Sequence, residues 1–102
     1  MNQYRQGDVY IIQIKKVPNG GDPVARQSGR LVLAYGEVTG HSHAIMDDGA
    51  VLLNLGAQRF LEVATPVRLY HEEHDEIRLP AGSYEVIIQR EYSPEAIRTV
   101  TD

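Results

Sequence analysis

Apolar and polar residues alternate in short runs along most of the chain, with the period of two that is typical of β-strands. Residues 8–15 place Val9 and Ile11 on one face and Tyr10, Ile12 and Ile14 on the other, which predicts a strand at least partly covered on both faces. Similar runs predict strands at residues 30–35, 43–46, 50–55, 59–63, 67–71 and 83–92. About seven strands without a long helical pattern favour an all-β fold, either a sandwich or a small barrel.

Turn-forming residues separate these runs. Prolines and glycines recur in residues 17–29, which predicts an exposed loop. Asp47-Asp48-Gly49 between two apolar runs is typical of a hairpin turn. Ser93-Pro94-Glu95 combines an N-cap residue, a proline at the first helical position and an acid, so residues 93–99 predict a C-terminal tail of one or two helical turns.

The composition agrees with one folded domain over residues 1–102. A hydrophobic fraction of 42% is that of a globular chain, and a net charge of −4 argues against nonspecific nucleic-acid binding through many phosphate contacts, leaving open only a local basic groove. The absence of cysteine excludes disulfides and thiolate metal sites. No segment has the length and apolarity of a signal core or a membrane span, so we expect a cytoplasmic protein without membrane contact.

All four histidines lie in two clusters, His41-Ser42-His43 and His71-Glu72-Glu73-His74, with three more acids flanking them at Asp47, Asp48 and Asp75. In an extended segment, residues two apart project from one face about 6.6 Å apart, so His41 and His43 can reach one ion. His71 and His74 are three apart, so a straight strand allows only one of them to join, whereas a bulge or turn allows both.

These clusters predict a divalent metal site built from His41, His43, His71 and His74. Zinc is the default metal for an imidazole-rich site, and iron or manganese would suit a mixed set of histidines and carboxylates. Asp47, Asp48, Glu72 and Asp75 are candidate acceptors for the second imidazole nitrogens. Whether such a metal is structural or catalytic depends on how many coordination positions the protein leaves open.

Two further hypotheses do not need a metal. Two histidines can serve as general base and general acid in RNA cleavage, with Arg59, Arg90 or Tyr92 stabilising the phosphate. The chain can also be a non-enzymatic structural or protein-interaction module, as a monomer or a homo-oligomer, whose strand edges contact a partner. The sequence leaves the partner open between a small molecule and a protein.

Residues 36–47 resemble the first motif of the cupins, in which a glycine precedes a His-x-His pair and a carboxylate follows. The resemblance implies a double-stranded β-helix barrel and a divalent metal held by His41, His43 and one downstream histidine, with Asp47 or Asp48 at the carboxylate position. Across nearly its whole length, the chain also resembles small uncharacterised proteins of bacteria and their phages, a likeness that implies no activity. The residues that carry this second resemblance are Gln6-Gly7-Asp8-Val9, residues 36–43, residues 71–74, Leu79-Pro80-Ala81-Gly82 and Gln89-Arg90-Glu91-Tyr92.

Overall fold

A computed structural model describes residues 2–36 and 40–89, and within them the chain forms ten strands and no helix. In chain order the strands are β1 (Gln3–Gln6), β2 (Val9–Ile14), β3 (Asp22–Pro23), β4 (Leu31–Tyr35), β5 (Ser42–Ile45), β6 (Ala50–Leu55), β7 (Gln58–Val63), β8 (Val67–Tyr70), β9 (Ile77–Leu79) and β10 (Gly82–Ile88). The all-β prediction is confirmed for this part of the chain. The predicted helical tail at residues 93–99 lies outside the described residues.

The strands form two antiparallel sheets. The six-stranded sheet has the order β1-β2-β10-β7-β6-β3, and the four-stranded sheet has the order β4-β5-β8-β9. Neither sheet closes on itself in the described residues, so the barrel alternative and the cupin-type barrel are not observed. One apolar core contains residues of both sheets, among them Ile11, Leu61 and Tyr84 from the first and Leu33, Ile45 and Leu69 from the second.

The three strands that the sequence pattern missed all lie at sheet edges. β1 and β3 are the two edges of the six-stranded sheet, and β9 is an edge of the four-stranded sheet. An edge strand is short and partly solvated, so it does not need the alternating apolar run that marks a half-buried strand. For the same reason, residues 17–29 were predicted as a loop although β3 lies within them. The predicted strand 83–92 corresponds to β10, which ends at Ile88 in the described residues.

The predicted hairpin at Asp47-Asp48-Gly49 is wrong. β5 pairs with β4 and β8, whereas β6 pairs with β7 and β3, so this turn carries the chain from one sheet to the other. β5 is paired on both sides, with β4 and with β8, so it has no free edge with which β6 could pair. Every residue of β5 is buried. Asp47 instead accepts hydrogen bonds from the backbone N–H and the guanidinium of Arg68, each at 2.9 Å.

The described part of the chain contains no helix with the length and apolarity that crossing a bilayer requires.

Gly49 allows a test of this crossover. Its φ is +101°, and a Cβ there would clash with Oγ1 of Thr65. We expect Gly49→Ala to lower the free energy of unfolding by about 2–4 kcal/mol, through left-handed backbone strain and the steric clash. The matched control is Gly56→Ala, where φ is +61° but no atom lies within 4 Å of the added Cβ, so only about 1–2 kcal/mol should be lost. Urea unfolding of both variants measures the difference, and equal losses would contradict the close contact with Thr65.

Candidate functional site

The antiparallel register of β5 and β8 brings the two histidine clusters together. Ala44 lies opposite Tyr70 and Ile45 opposite Leu69. Antiparallel strands run in opposite directions, so one step forward along β8 is one step back along β5, and the pairing can be continued just beyond the end of β8. The next position of this register sets His71 opposite His43, and the carboxylate of Glu72 accepts a hydrogen bond from the backbone N–H of Ser42.

A bend at residues 72–74 then returns the chain and adds the last histidine. The ring centroids of His71 and His74 lie 4.6 Å apart, and those of His43 and His71 lie 4.4 Å apart. His41 joins through His71 at 5.6 Å, edge to face. The bent alternative for the second cluster is therefore the observed one, and all four imidazoles converge.

The imidazoles line a cavity of about 270 Å³. It lies where the turn between β1 and β2 faces the beginning of β5 and the segment that follows β8. The two buried imidazoles are His43, which is 2% exposed, and His71, which is 6% exposed. The residues that line the cavity are Asp8, Gly36, His41, His43, His71, Glu73 and His74.

Two glycines allow the backbone to approach the rings closely. A Cβ at Gly7 would lie 2.8 Å from Nε2 of His74, and one at Gly36 would lie 3.2 Å from Nε2 of His71. Gly40 has open space around a Cβ but a φ of +88°, so it serves the turn before β5 rather than the approach to the rings.

Hydrogen bonds fix the proton position on His43. The amide nitrogen of Gln6 donates to the carbonyl oxygens of Leu69 at 3.0 Å and Asp75 at 2.9 Å, so its Oε1 must face Nδ1 of His43, 2.8 Å away. An amide oxygen can only accept, so Nδ1 of His43 carries the proton. In the neutral ring the lone pair is then on Nε2, and Oδ1 of Asp8 lies 3.5 Å from that nitrogen.

His71 has the opposite tautomer. The backbone N–H of Glu73 donates to Nδ1 of His71 at 3.0 Å, so the neutral ring carries its proton on Nε2. Burial, with a smaller contribution from His74, lowers the pKa of His71 and keeps the ring neutral at physiological pH. Two neighbouring imidazoles therefore present one nitrogen lone pair and one N–H donor.

His41 provides the site's unsatisfied polar atom. Its Nδ1 is buried and has no hydrogen-bond partner in the described residues, because Oε2 of Glu73 lies 3.7 Å away, beyond hydrogen-bonding distance. Glu72 is held nearby, since its Oε1 accepts a hydrogen bond from the backbone N–H of Ser42 at 2.9 Å, and that bond lowers the pKa of the carboxyl. Within the described ranges, His41, His71 and Glu72 offer ligand atoms that all lie within 4.8 Å of one another.

The other acids predicted beside the clusters are not in the lining. Asp47, a candidate for the carboxylate position of the cupin motif, is bound to Arg68, whose hydrogen bond lowers the pKa of the Asp47 carboxyl. Asp48 is also absent from the lining, and Asp75 contributes its backbone carbonyl rather than its carboxylate. The role of these acids as acceptors for the second imidazole nitrogens stays a prediction. Among the four, Glu72 lies close to the rings, where its carboxylate accepts a hydrogen bond from the backbone of Ser42.

The residues that the sequence reasoning missed are Gln6, Gly7, Asp8 and Glu73. Gln6 and Asp8 were named only among the residues of the second resemblance, which implied no activity for them. Gln6 and Asp8 contact His43 across more than thirty positions of the chain, so no local spacing marks them. A short polar strand directly before a Gly-Asp turn is the one signal that their positions carry.

Arg59 does not contribute to the cavity. Its guanidinium donates to the carbonyl oxygen of Leu33 in the opposite sheet and to Oδ1 of Asn54. The pairing of β4 with β5 shifts register next to Leu33, so the arginine accounts for a carbonyl at an irregular position of that ladder. Of the other two residues proposed to stabilise a phosphate, Arg90 and Tyr92 both lie outside the described residues.

Comparison with known protein families gives a match over most of the chain. The model of a protein family described as a domain of unknown function (DUF8820) covers residues 5–89. No curated protein and no solved structure matches the chain.

The buried position of His71 predicts a pH dependence of stability in metal-free protein. Its folded-state pKa lies below the unfolded value near 6.5, so the unfolded chain binds more protons between the two values. The free energy of unfolding should therefore fall as the pH falls below about 6.5. His71→Asn keeps an acceptor for the N–H of Glu73 and removes the titrating ring, so its stability should depend less on pH. Urea unfolding from pH 5 to 8 in chelator measures both proteins, and identical slopes would show that His71 is not the linked group.

Proposed function

Because the chain belongs to this family of unknown function, we propose its function from the geometry of the site: it is a metal-binding β domain that holds one divalent cation in the histidine cavity. The observation that carries the proposal is the convergence of all four histidines of the chain in a single cavity. Imidazole nitrogens are the commonest metal ligands in proteins, and an imidazole-rich set favours zinc. Iron or manganese is the alternative where carboxylates join the histidines.

The unsatisfied nitrogen of His41 supports a cation at this position. A buried polar atom without a partner costs about 1–3 kcal/mol, and such groups are rare in folded proteins. A cation beside Nδ1 of His41 would remove that cost. His71 and Glu72, whose ligand atoms lie within 4.8 Å of that of His41 and of each other, would complete a set of two imidazoles and one carboxylate.

The four imidazoles differ in what coordination requires of them. The lone pair of His43 is already on Nε2, so this ring binds a metal without a change of tautomer. His71 binds through Nδ1 only when the N–H of Glu73 gives up its hydrogen bond, and through Nε2 only when the proton on that nitrogen moves to Nδ1 in its place. His74 lies at the exposed rim and can approach through side-chain rotation. Metal binding would therefore rearrange residues 71–74 more than β5.

The charge of the cavity supports a cation over an anion. Its lining carries two carboxylates, Asp8 and Glu73, and no lysine or arginine in the described residues. Its rim reaches the surface, since the Glu73 side chain is 64% exposed. A small molecule or water can therefore enter, which favours chemistry at the metal over the sealed site that an interaction module would need. A bound divalent ion would supply Lewis acidity for such a ligand.

Elemental analysis tests the proposal directly. We expect about one metal ion per chain in protein purified without an affinity tag and reloaded with zinc, and less than about a tenth of that in His41→Ala/His43→Ala. Asp47→Asn is the matched control, because this acid lies outside the cavity lining, and it should keep the metal. Loss of metal in the control would favour the cupin-type ligand set instead. No metal in the wild type after reloading with zinc, iron and manganese would refute a metal site.

A second candidate function is metal-free acid–base catalysis, and the close pair of His43 and His71 supports it. His43 offers the lone pair of a general base on Nε2, and the ring centroid of His71 lies 4.4 Å from that of His43. His71 can act as the general acid only when its ring is protonated, and its lowered pKa opposes that form at physiological pH. RNA is the first substrate to examine, since attack by a 2′-hydroxyl needs one group of each kind. The two carboxylates in the lining oppose a phosphate, so we rank this candidate below metal binding.

This second function predicts RNA cleavage that persists in chelator. His43→Asn should lower the cleavage rate by about 100-fold or more, the usual contribution of a positioned general base, while Asp47→Asn should cleave like the wild type. The measurement is the initial cleavage rate on single-stranded and hairpin RNAs of mixed sequence. A folded wild type that leaves all of them intact would rule out the ribonuclease.

A further inference from the structure

Gln6 is the buried polar residue that connects both halves of the site. It ends β1, it is 2% exposed, and its side chain spans from His43 to the segment that carries His71 and His74. Three hydrogen bonds of 2.8 to 3.0 Å satisfy its amide. No family resemblance or spacing assigns a role to this residue.

The amide of Gln6 has one permitted orientation. Rotating it by 180° would bring Oε1 against the carbonyl oxygens of Leu69 and Asp75, and three acceptors would then meet without a proton. The two carbonyls belong to backbone at the end of β8 and in the segment after it, and neither can donate. The orientation of Gln6 is thus set by main-chain atoms rather than by the histidine.

That orientation decides which nitrogen of His43 faces the cavity with a lone pair. Oε1 of Gln6 stabilises the ring with its proton on Nδ1 and opposes the other tautomer, in which two lone pairs would face each other at 2.8 Å. Metal-binding histidines commonly have such an acceptor on the second nitrogen, and it sets both the tautomer and the ring orientation. Asp8 cannot replace it, because that carboxylate lies beside Nε2.

We propose that Gln6 is a positioning residue that holds His43 in the Nδ1-protonated tautomer and thereby presents Nε2 as the metal-binding nitrogen. The bond from Gln6 to the Asp75 carbonyl adds a second effect, because it anchors the segment with His71 and His74 against the same strand. The assignment of the tautomer is independent of the proposed function, whereas its consequence for metal affinity rests on it.

The test combines a spectroscopic readout with a metal titration. Nitrogen chemical shifts of the imidazoles, recorded on ¹⁵N-labelled, metal-free protein at about pH 8, report which nitrogen of His43 carries the proton. We expect Nδ1 in the wild type, and a mixture or Nε2 in Gln6→Met, which keeps the approximate volume and removes the amide. Zinc affinity should fall by about 10–100-fold in Gln6→Met. Gln58→Met is the matched control, because Gln58 is an exposed β7 residue whose amide contacts Glu85, and it should behave like the wild type in both measurements.

The outcomes separate the two proposals. A wild-type His43 protonated on Nε2 overturns the inference without any variant, so the result stands even if Gln6→Met fails to fold. An unchanged tautomer in a folded Gln6→Met overturns it as well. If Gln6→Met changes the tautomer of His43 while the wild type binds no metal, the positioning role is supported and the proposed function is rejected. Gln6→Glu keeps an acceptor for His43, so retention of the Nδ1 proton in that variant would support the inference further.

Discussion

The antiparallel pairing of β5 with β8 is the contact on which the site depends. The histidines of the first cluster are two apart, with His41 directly before β5 and His43 within it. The pairing brings both beside His71, directly after β8, so a single register positions three of the four imidazoles. The core enforces this register, because Ile45 and Leu69 are directly opposite each other and both are fully buried. A slip of one residue would exchange the faces of the strand and remove apolar side chains from the core. The chemistry of the site is thus held by hydrophobic packing two residues away.

The site also shows how buried polar groups are satisfied in a small β domain. Gln6, Ser42, His43 and His71 are all buried, and each has a hydrogen-bond partner in the described residues. Most of the partners are backbone groups or a fixed amide, so the protons in the site are located by the fold. Nδ1 of His41 departs from this pattern. It is buried without a hydrogen-bond partner in the described residues, although His41 lines the cavity.

The sequence predicted the class of fold and the residues of the cluster, but not how they meet. Alternation of apolar residues located the central strands, since burial on one or both faces is what produces that pattern. This pattern missed β1 and β9, because edge strands do not need an alternating apolar run. The sequence also predicted a hairpin at Asp47, because turn chemistry is local, whereas the assignment of β5 and β6 to different sheets depends on the whole core. The histidines were recognisable by type and spacing. Gln6 and Asp8 were not, since their roles arise from contacts that the fold creates between distant parts of the chain.

The position of β1 at the edge of its sheet makes the histidine site more sensitive to heating than the rest of the fold. β1 is a four-residue strand at the edge of its sheet, paired on one side only, yet its last residue fixes the proton on His43 and anchors the segment with His71 and His74. Edge elements open locally at lower free energy than the core they flank. Local unfolding of β1 would release His43 and the segment with His71 and His74 from Gln6 while the rest of the two sheets remains packed. The temperature at which the histidine site loses its geometry is therefore expected to lie below the melting temperature of the domain.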